Sequence, residues 1–495
     1  RDRPTFTPLL ASFSCPYMKR IVFSCIAALS ASVSYASVTL PDIISDNMVL
    51  QQKSDARLWG WATPGSKITV TTPWDRQAYT AKSGKDGRWD VEVRTPEATY
   101  TPQTIAIEGD GSSITLGNVL IGEVWLCSGQ SNMEMPLKGF WCQPVENAGT
   151  AIAYSGKYPG VRVATVTRRG DYEPQERAEG KWMESKPENA GEFSAVAYFF
   201  ARSLNDILGV PVGVINCSLG GSKVEGWMPR RQLDKYPDCD VDKEKATPDS
   251  VLQLWERINI MYNAMLHPIV GYTVKGFLWN QGEANVGAHM TYPQRLADMV
   301  RIWREEWQSG ELPFYFVEIP AWSYGNPDGS VAALLREAQH KAAGIIPNSG
   351  VISTTDLIYP HEINDIHGSK KLEIGERLAF MAAGKTYGVA GIDSSYPTFK
   401  SADFYGDKVI LHIDNIENGL TPNAALDGFE VAGDDKVFYP ADAKELWYNR
   451  AIEVTSDRVK DIKSVRYCFK NFSIGNIHNL KGLPLMPFRT DDWAE

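Results

Sequence analysis

The stretch Gly122-Glu123-Val124-Trp125-Leu126-Cys127-Ser128-Gly129-Gln130-Ser131-Asn132-Met133-Glu134-Met135 decides how the chain is read. Val119 to Cys127 is an apolar run of strand length, the pattern of a strand buried on both faces. It ends in Ser-Gly-Gln-Ser-Asn. Gly129 permits a tight turn, so Ser131 falls where a strand gives way to the next segment. A hydroxyl there stands at the carboxyl edge of a sheet, with backbone N–H groups aimed at an incoming carbonyl oxygen. The block is not the G-x-S-x-G elbow of α/β-hydrolases, because Met133 stands where the second glycine is needed. On spacing alone, an ordinary strand-to-helix turn with Ser131 as its cap is the more economical reading.

Downstream of this block, strands and helices alternate. Ser194 to Leu208 places Val196, Phe199, Phe200, Leu204 and Ile207 at helical spacing, and Gly209 ends the helix. Strands are predicted at 212–217, 274–279, 314–319 and 350–353. Helices are predicted at 292–307, 331–343 and 369–383. Such alternation predicts an α/β domain with a parallel sheet, whose ligands bind beyond the carboxyl ends of its strands. Upstream, residues 38 to 118 hold short Val-, Ile- and Thr-rich runs between turn signals such as Thr63-Pro64-Gly65 and Lys85-Asp86-Gly87, which predicts a small β-sandwich. From about Gly391 the pattern is β again. The expected organisation is an N-terminal β-sandwich at 37–118, a catalytic domain at 119–390 and a C-terminal β-domain at 391–495.

Met18-Lys19-Arg20, the apolar run Ile21 to Leu29 and Ser34-Tyr35-Ala36 read as a secretory signal peptide at 18–36, with residues 1–17 as an upstream extension. The predicted product is exported, to the periplasm or the medium. Of seven Cys, five lie beyond Ala36: Cys127, Cys142, Cys217, Cys239 and Cys468. An odd count leaves at least one thiol unpaired, and a Cys142–Cys239 disulfide is conceivable. No C-x-x-C pair is present, which argues against a zinc knuckle. A net charge of −10 argues against a nucleic-acid partner. No run approaches the ~20 apolar residues of a membrane helix, so no membrane span is expected.

A serine nucleophile needs a base. His267 precedes Pro268, His340 lies in a helical stretch, and His412 and His478 fall in the C-terminal β segment. His367 follows a strand and loop and opens the final predicted helix, which puts it at the sheet edge expected for Ser131. His361-Glu362 with His367 does not match H-E-x-x-H, and no metal is predicted. Ser218-Leu219-Gly220-Gly221-Ser222 and Trp279-Asn280-Gln281-Gly282-Glu283-Ala284-Asn285 each follow a strand. Paired glycines let N–H groups approach a ligand, and Gln281 offers an amide donor.

Taken together, these blocks resemble the sialate O-acetylesterase family of SGNH-type hydrolases. The resemblance rests on Gly122 to Met135, Ser218 to Met228, Trp279 to Asn285, Asn364-Asp365-Ile366-His367 and the closing Gly482-Leu483-Pro484 and Pro487-Phe488-Arg489. It implies a flavodoxin-like three-layer domain accompanied by β-domains. It also implies hydrolysis of O-acetyl esters on sialic acid, with no cofactor. Carried over, Ser131 is the nucleophile and His367 the general base. The Ser131 N–H, a glycine N–H at Gly220 or Gly221, and Gln281 form the oxyanion hole. The usual pattern has Asp three residues before the His. Asn364 stands there, with Asp365 one residue on. The third member is therefore open between Asp365, a backbone carbonyl, Glu283 or a plain Ser-His dyad. Because sialic acid is anionic, Lys223, Arg230 and Arg231 are candidate substrate contacts, and Trp227 is a further one. Two alternatives share the sequence features: an acetyl esterase acting on xylan or another glycan, and a catalytically inactive sugar-binding protein.

Overall fold

The computed structural model describes residues 37–493, so the predicted signal peptide and upstream extension lie outside the described residues. Seven strands form the part of the main sheet that carries the site. They are β1 (Ser112–Gly129), β2 (Val161–Thr165), β3 (Trp182–Glu184), β4 (Val212–Ser218), β5 (Gly276–Asn280), β6 (Phe314–Val317) and β7 (Ser349–Ile352). Their spatial order is β7-β6-β5-β1-β4-β2-β3. All neighbours are parallel except the edge strand β3, which runs antiparallel to β2. β4, β5 and β6 are buried along their whole length, as expected of strands covered on both faces.

The order reverses at β1. The chain leaves β1 to build β4, β2 and β3 on one side, then returns to lay β5, β6 and β7 on the other. Such a switch opens a crevice at the carboxyl end of the central strand, which here is Gly129.

Five helices matter to the site: α1 (Ser131–Glu134), α2 (Ala195–Leu208), α3 (Tyr292–Trp307), α4 (Val331–Ile345) and α5 (Lys371–Met381). α2 packs on α5, and α3 on α4. α2 begins and ends as its sequence predicts. The Ser194 hydroxyl accepts from the Ala197 N–H at 3.2 Å, and Gly209 closes the helix in the left-handed conformation, φ 64°. His367 lies before α5 rather than within it, since the helix starts only at Lys371.

β1 is one continuous strand of 18 residues. Its first half pairs with Thr99–Gly109 and its second half with β4 and β5. The boundary expected at residue 118 therefore falls inside a strand. The apolar core is equally continuous, running from Val70, Trp89 and Ile107 into Val124, Phe277 and Leu296. The C-terminal region instead has a core of its own, built on Val409, Leu411, Val431, Val454 and Tyr467. It meets the α/β region through apolar contacts, with Leu483 and Met486 joining the main core and Phe469 clustering with Ala333 and Leu334, and through polar groups. His478 Nε2 lies 2.9 Å from the Asp356 carboxylate, which also takes both arms of Arg377. Cys142 and Cys239 are free thiols, as are Cys127, Cys217 and Cys468, so the conceivable disulfide is not formed.

Candidate active site

Ser131 sits at the first position of α1, directly after the end of β1. The turn that delivers it is fixed from both sides. The Gln130 N–H donates to the Asn280 carbonyl at 3.0 Å, and the Leu219 N–H donates to the Gly129 carbonyl at 3.1 Å. The Gln130 side chain adds a tie to the loop after β5, accepting from the Gly282 and Ala284 N–H groups at 3.2 Å each. Only glycine fits at 129. Its φ is +137°, and a Cβ would lie 2.1 Å from the Asn280 carbonyl oxygen. Ser131 stays partly exposed at the mouth of this turn.

His367 arrives on the loop after β7, and Asn132 joins the two segments. The Asn132 amide donates to the Ile366 carbonyl at 3.1 Å and to Glu283 Oε1 at 2.5 Å, while its oxygen accepts from Lys371 Nζ at 2.7 Å. The residue after Ser131 is thus bonded to the residue before His367. Burial holds the Glu283 carboxyl above its ordinary range and pulls Lys371 down to about 8. The second Glu283 oxygen has no partner.

The His367 ring stacks edge-on against Phe140, with ring centroids 5.2 Å apart. Its Nε2 is buried and has no protein partner. Burial, with the Lys371 charge second, pulls the imidazole down to about 4. It is therefore neutral at pH 7 and can accept a proton.

None of the expected third members touches the ring. Asp365 Oδ1 accepts from the His367 backbone N–H at 2.9 Å. The Asn364 side chain turns away to Ser323, 3.1 Å off. Glu283 is held by Asn132. The partner of His367 Nδ1 is Gln143 Oε1, at 2.7 Å.

The expected oxyanion donors divide into two sets. The Gly220 N–H donates to Glu134 Oε2 at 2.5 Å, and Glu134 is also paired with Arg168. Gln281 is fully buried, and its amide nitrogen donates to the Ser222 carbonyl at 3.0 Å and to Asn285 Oδ1 at 2.7 Å. Among the described residues, the Ser131 and Gly221 N–H groups have no protein acceptor. Gly221 has φ +75°, and the Trp255 ring closes over it, so that a Cβ there would lie 2.5 Å from the indole.

The expected substrate contacts are scattered. Trp227 is 0% exposed and its indole N–H donates to the Ser222 hydroxyl at 3.0 Å, so it supports the glycine loop from within. Arg230 is exposed and paired with Asp242 and Asp234. Arg231 pairs with Glu306. Lys223 lines a cavity shared with Glu225, Asp238 and Glu244. One exposed aromatic beside the His367 partners that sequence reasoning passed over is Trp141, 92% exposed, between Phe140 and the Cys142-Gln143 pair. Asn132 was in the quoted block without a role. Gln143 carries no local signal, since its meaning depends on contacts more than 200 residues away in the chain. Among the described residues, no group of three or more His, Cys, Asp or Glu is arranged to hold a metal ion. No helix among them is long and apolar enough to cross a membrane.

Residues 121–383 match the family described as carbohydrate esterase, sialic acid-specific acetylesterase. Two curated relatives are the sialate O-acetylesterases of Homo sapiens, 27% identical over 406 residues and 75% of each chain, and of Mus musculus, 25% identical over 79% of this chain and 81% of that one. Among solved structures, a carbohydrate acetylesterase from Xanthomonas citri is 34% identical, with a TM-score of 0.82, over 92% of this chain and 100% of that one.

Proposed function

The chain belongs to the sialic acid-specific acetylesterase family of carbohydrate esterases, which are carboxylic ester hydrolases, and from that premise we propose that it removes O-acetyl groups from sialic acids with Ser131 and His367. One observation carries the assignment of residues. Asn132 ties the Ser131 turn to the segment ending in His367, whose Nε2 is neutral, buried and unpartnered.

In the proposed reaction His367 Nε2 takes the Ser131 hydroxyl proton as Oγ attacks the acetyl carbonyl carbon. The negative charge gathering on the carbonyl oxygen is met by the Ser131 and Gly221 N–H groups, each donor contributing on the order of 3 kcal/mol. The imidazolium returns its proton to the sugar oxygen as the ester bond breaks, leaving an acetyl-serine. A water then attacks, giving its proton to His367 and releasing acetate, and Ser131 recovers its hydroxyl proton. No step calls on a metal or organic cofactor. On the same reading the sheet around β1 is the three-layer, flavodoxin-like domain of an SGNH hydrolase flanked by β-domains, and the protein is exported.

A second reading, an acetyl esterase on xylan or another neutral glycan, is favoured by the pairing of Arg230 with Asp242 and of Arg231 with Glu306. Neither guanidinium is left uncompensated for a substrate carboxylate. The test is acetate release from acetylated sialic acid and from acetylated xylan, with Ser131→Ala as control. The leading reading expects release from sialic acid that the substitution abolishes. Release from xylan alone transfers the assignment to the second reading. Sugar binding without release from either substrate would leave an inactive binding protein.

A further inference from the structure

We infer that Gln143 is the positioning residue of the general base, taking the place at Nδ1 that a carboxylate holds in a Ser-His-Asp triad. The inference rests on the reading of Ser131 and His367 above and extends it.

The argument is one of hydrogen-bond direction. An ionised carboxylate only accepts, so the group facing Asp365 Oδ1 at 3.0 Å must be the Gln143 amide nitrogen. That fixes the Gln143 oxygen toward His367, 2.7 Å from Nδ1. An amide oxygen only accepts, so Nδ1 carries the proton and Nε2 carries the lone pair. The tautomer a general base needs is thereby set by a neutral side chain, itself oriented by Asp365. Asp365 has a second duty, accepting from the His367 N–H, and both bonds keep it off the ring. Phe140 packs edge-on against the ring, and the Phe140–Gln143 bridge closes the short turn that carries both residues.

The charges around this arrangement are few. Asp365 precedes the ring, and Lys371 follows it at the start of α5. Glu283 and Glu362 act on Lys371. On the nucleophile side stands Glu134 with Arg168. None of these carboxylates touches the imidazole. A neutral partner stabilises an imidazolium less than a carboxylate does, in keeping with the low His367 value.

The test transposes the charge. In the double variant Gln143→Glu/Asp365→Asn the net charge is kept, and the amide at 365 can donate to the introduced carboxylate, which now faces Nδ1. With a chromogenic acetyl ester and the full chain, the acid limb of kcat/KM should rise by about 1–3 pH units. Gln143→Leu should lower kcat by about 10²-fold with KM within about twofold, the scale of lost general-base catalysis. An acid limb that stays at its wild-type position in the folded double variant overturns the inference, as does a Gln143→Leu enzyme with wild-type kcat. Ser131→Ala is run alongside. If it keeps wild-type activity, the esterase reading of the site fails. If it is inactive while the Gln143 variants behave as wild type, only the role of Gln143 fails.

Discussion

The two segments that Asn132 joins are built on opposite principles. Ser131 stands at the end of β1, whose last eleven residues are all buried and whose final stretch is hydrogen-bonded to β4 and β5. His367 stands on a loop, and its place is set by side chains. Glu362 accepts from the Tyr359 and Ser369 N–H groups at 2.8 and 2.9 Å, Gln143 takes Nδ1, and Asn132 takes the carbonyl before it. On the proposed reading Ser131 is a nucleophile, which must stay in one place, and a buried parallel ladder supplies that. A base must have a chosen tautomer and proton affinity, which are properties of polar neighbours and can be altered one residue at a time.

Substitutions can break this contrast, and the largest effect belongs to the rigid side. Ser131→Ala should lower kcat on a chromogenic acetyl ester by at least about 10³-fold while leaving Tm nearly unchanged, since it removes one partly exposed oxygen. Comparable turnover by the variant would place the nucleophile elsewhere. Next is the clamp. Asn132→Ala removes the tie to Ile366 and leaves Glu283 and Lys371 buried without their shared partner. It should therefore cost about 1–3 kcal/mol of stability by denaturant unfolding and about 10²-fold in kcat. A loss in stability alone would mean that the loop holds its place without Asn132. Asp365→Asn and Glu283→Gln sharpen the polar side. The first should lower kcat by about tenfold through a misdirected Gln143, and the second by less, since Glu283 touches the loop of the base only through Asn132 and Lys371. The reverse order would make Glu283 the more important carboxylate.

On the proposed reading the pH dependence follows from His367. The base works only when unprotonated, so activity is retained as pH falls until the imidazole titrates, near 4 rather than near 6.5. Folding responds with the same sign. Between those values the unfolded chain binds a proton at His367 that the folded chain does not, so stability falls as pH falls through this window. A kcat/KM profile whose acid limb lies near 6.5 would show an imidazole that is not held in this environment. The smallest effect is expected at the rim. Trp141→Ala should raise KM for an acetylated oligosaccharide about fivefold through the lost sugar-stacking face, with kcat unchanged. An unchanged KM would remove Trp141 from the substrate path.

The rigid side was legible in the sequence and the polar side only in outline. Apolar runs and a glycine that tolerates no side chain mark β1, β4 and β5 locally, so the strands and the Ser131 turn could be read from their own residues. β2 and β3 were not foreseen, since Arg162 interrupts the apolar run of β2 and β3 is only three residues long. His367 was found by its position after the last strand, at the opening of a helix whose first turn starts two residues later than expected, at Lys371. Gln143 and the role of Asn132 could not be read, since hydrogen bonds between segments more than 200 residues apart leave no spacing to recognise. Trp227 shows the converse limit. An aromatic beside a glycine loop looks like a sugar platform in one dimension, and the packing of β5 and α3 encloses it.

The length of β1 bears on how this enzyme can be taken apart. Eighteen extended residues reach roughly 60 Å, so a single rod joins the far N-terminal sheet to the turn before Ser131. A recombinant fragment starting at residue 119 would cut that rod near its middle and strip Leu120 and Ile121 of Val49 and Leu50 beside them. The smallest piece expected to hold its nucleophile in place therefore begins before Val38, and the N-terminal strands are scaffold for the hydrolase rather than a detachable accessory.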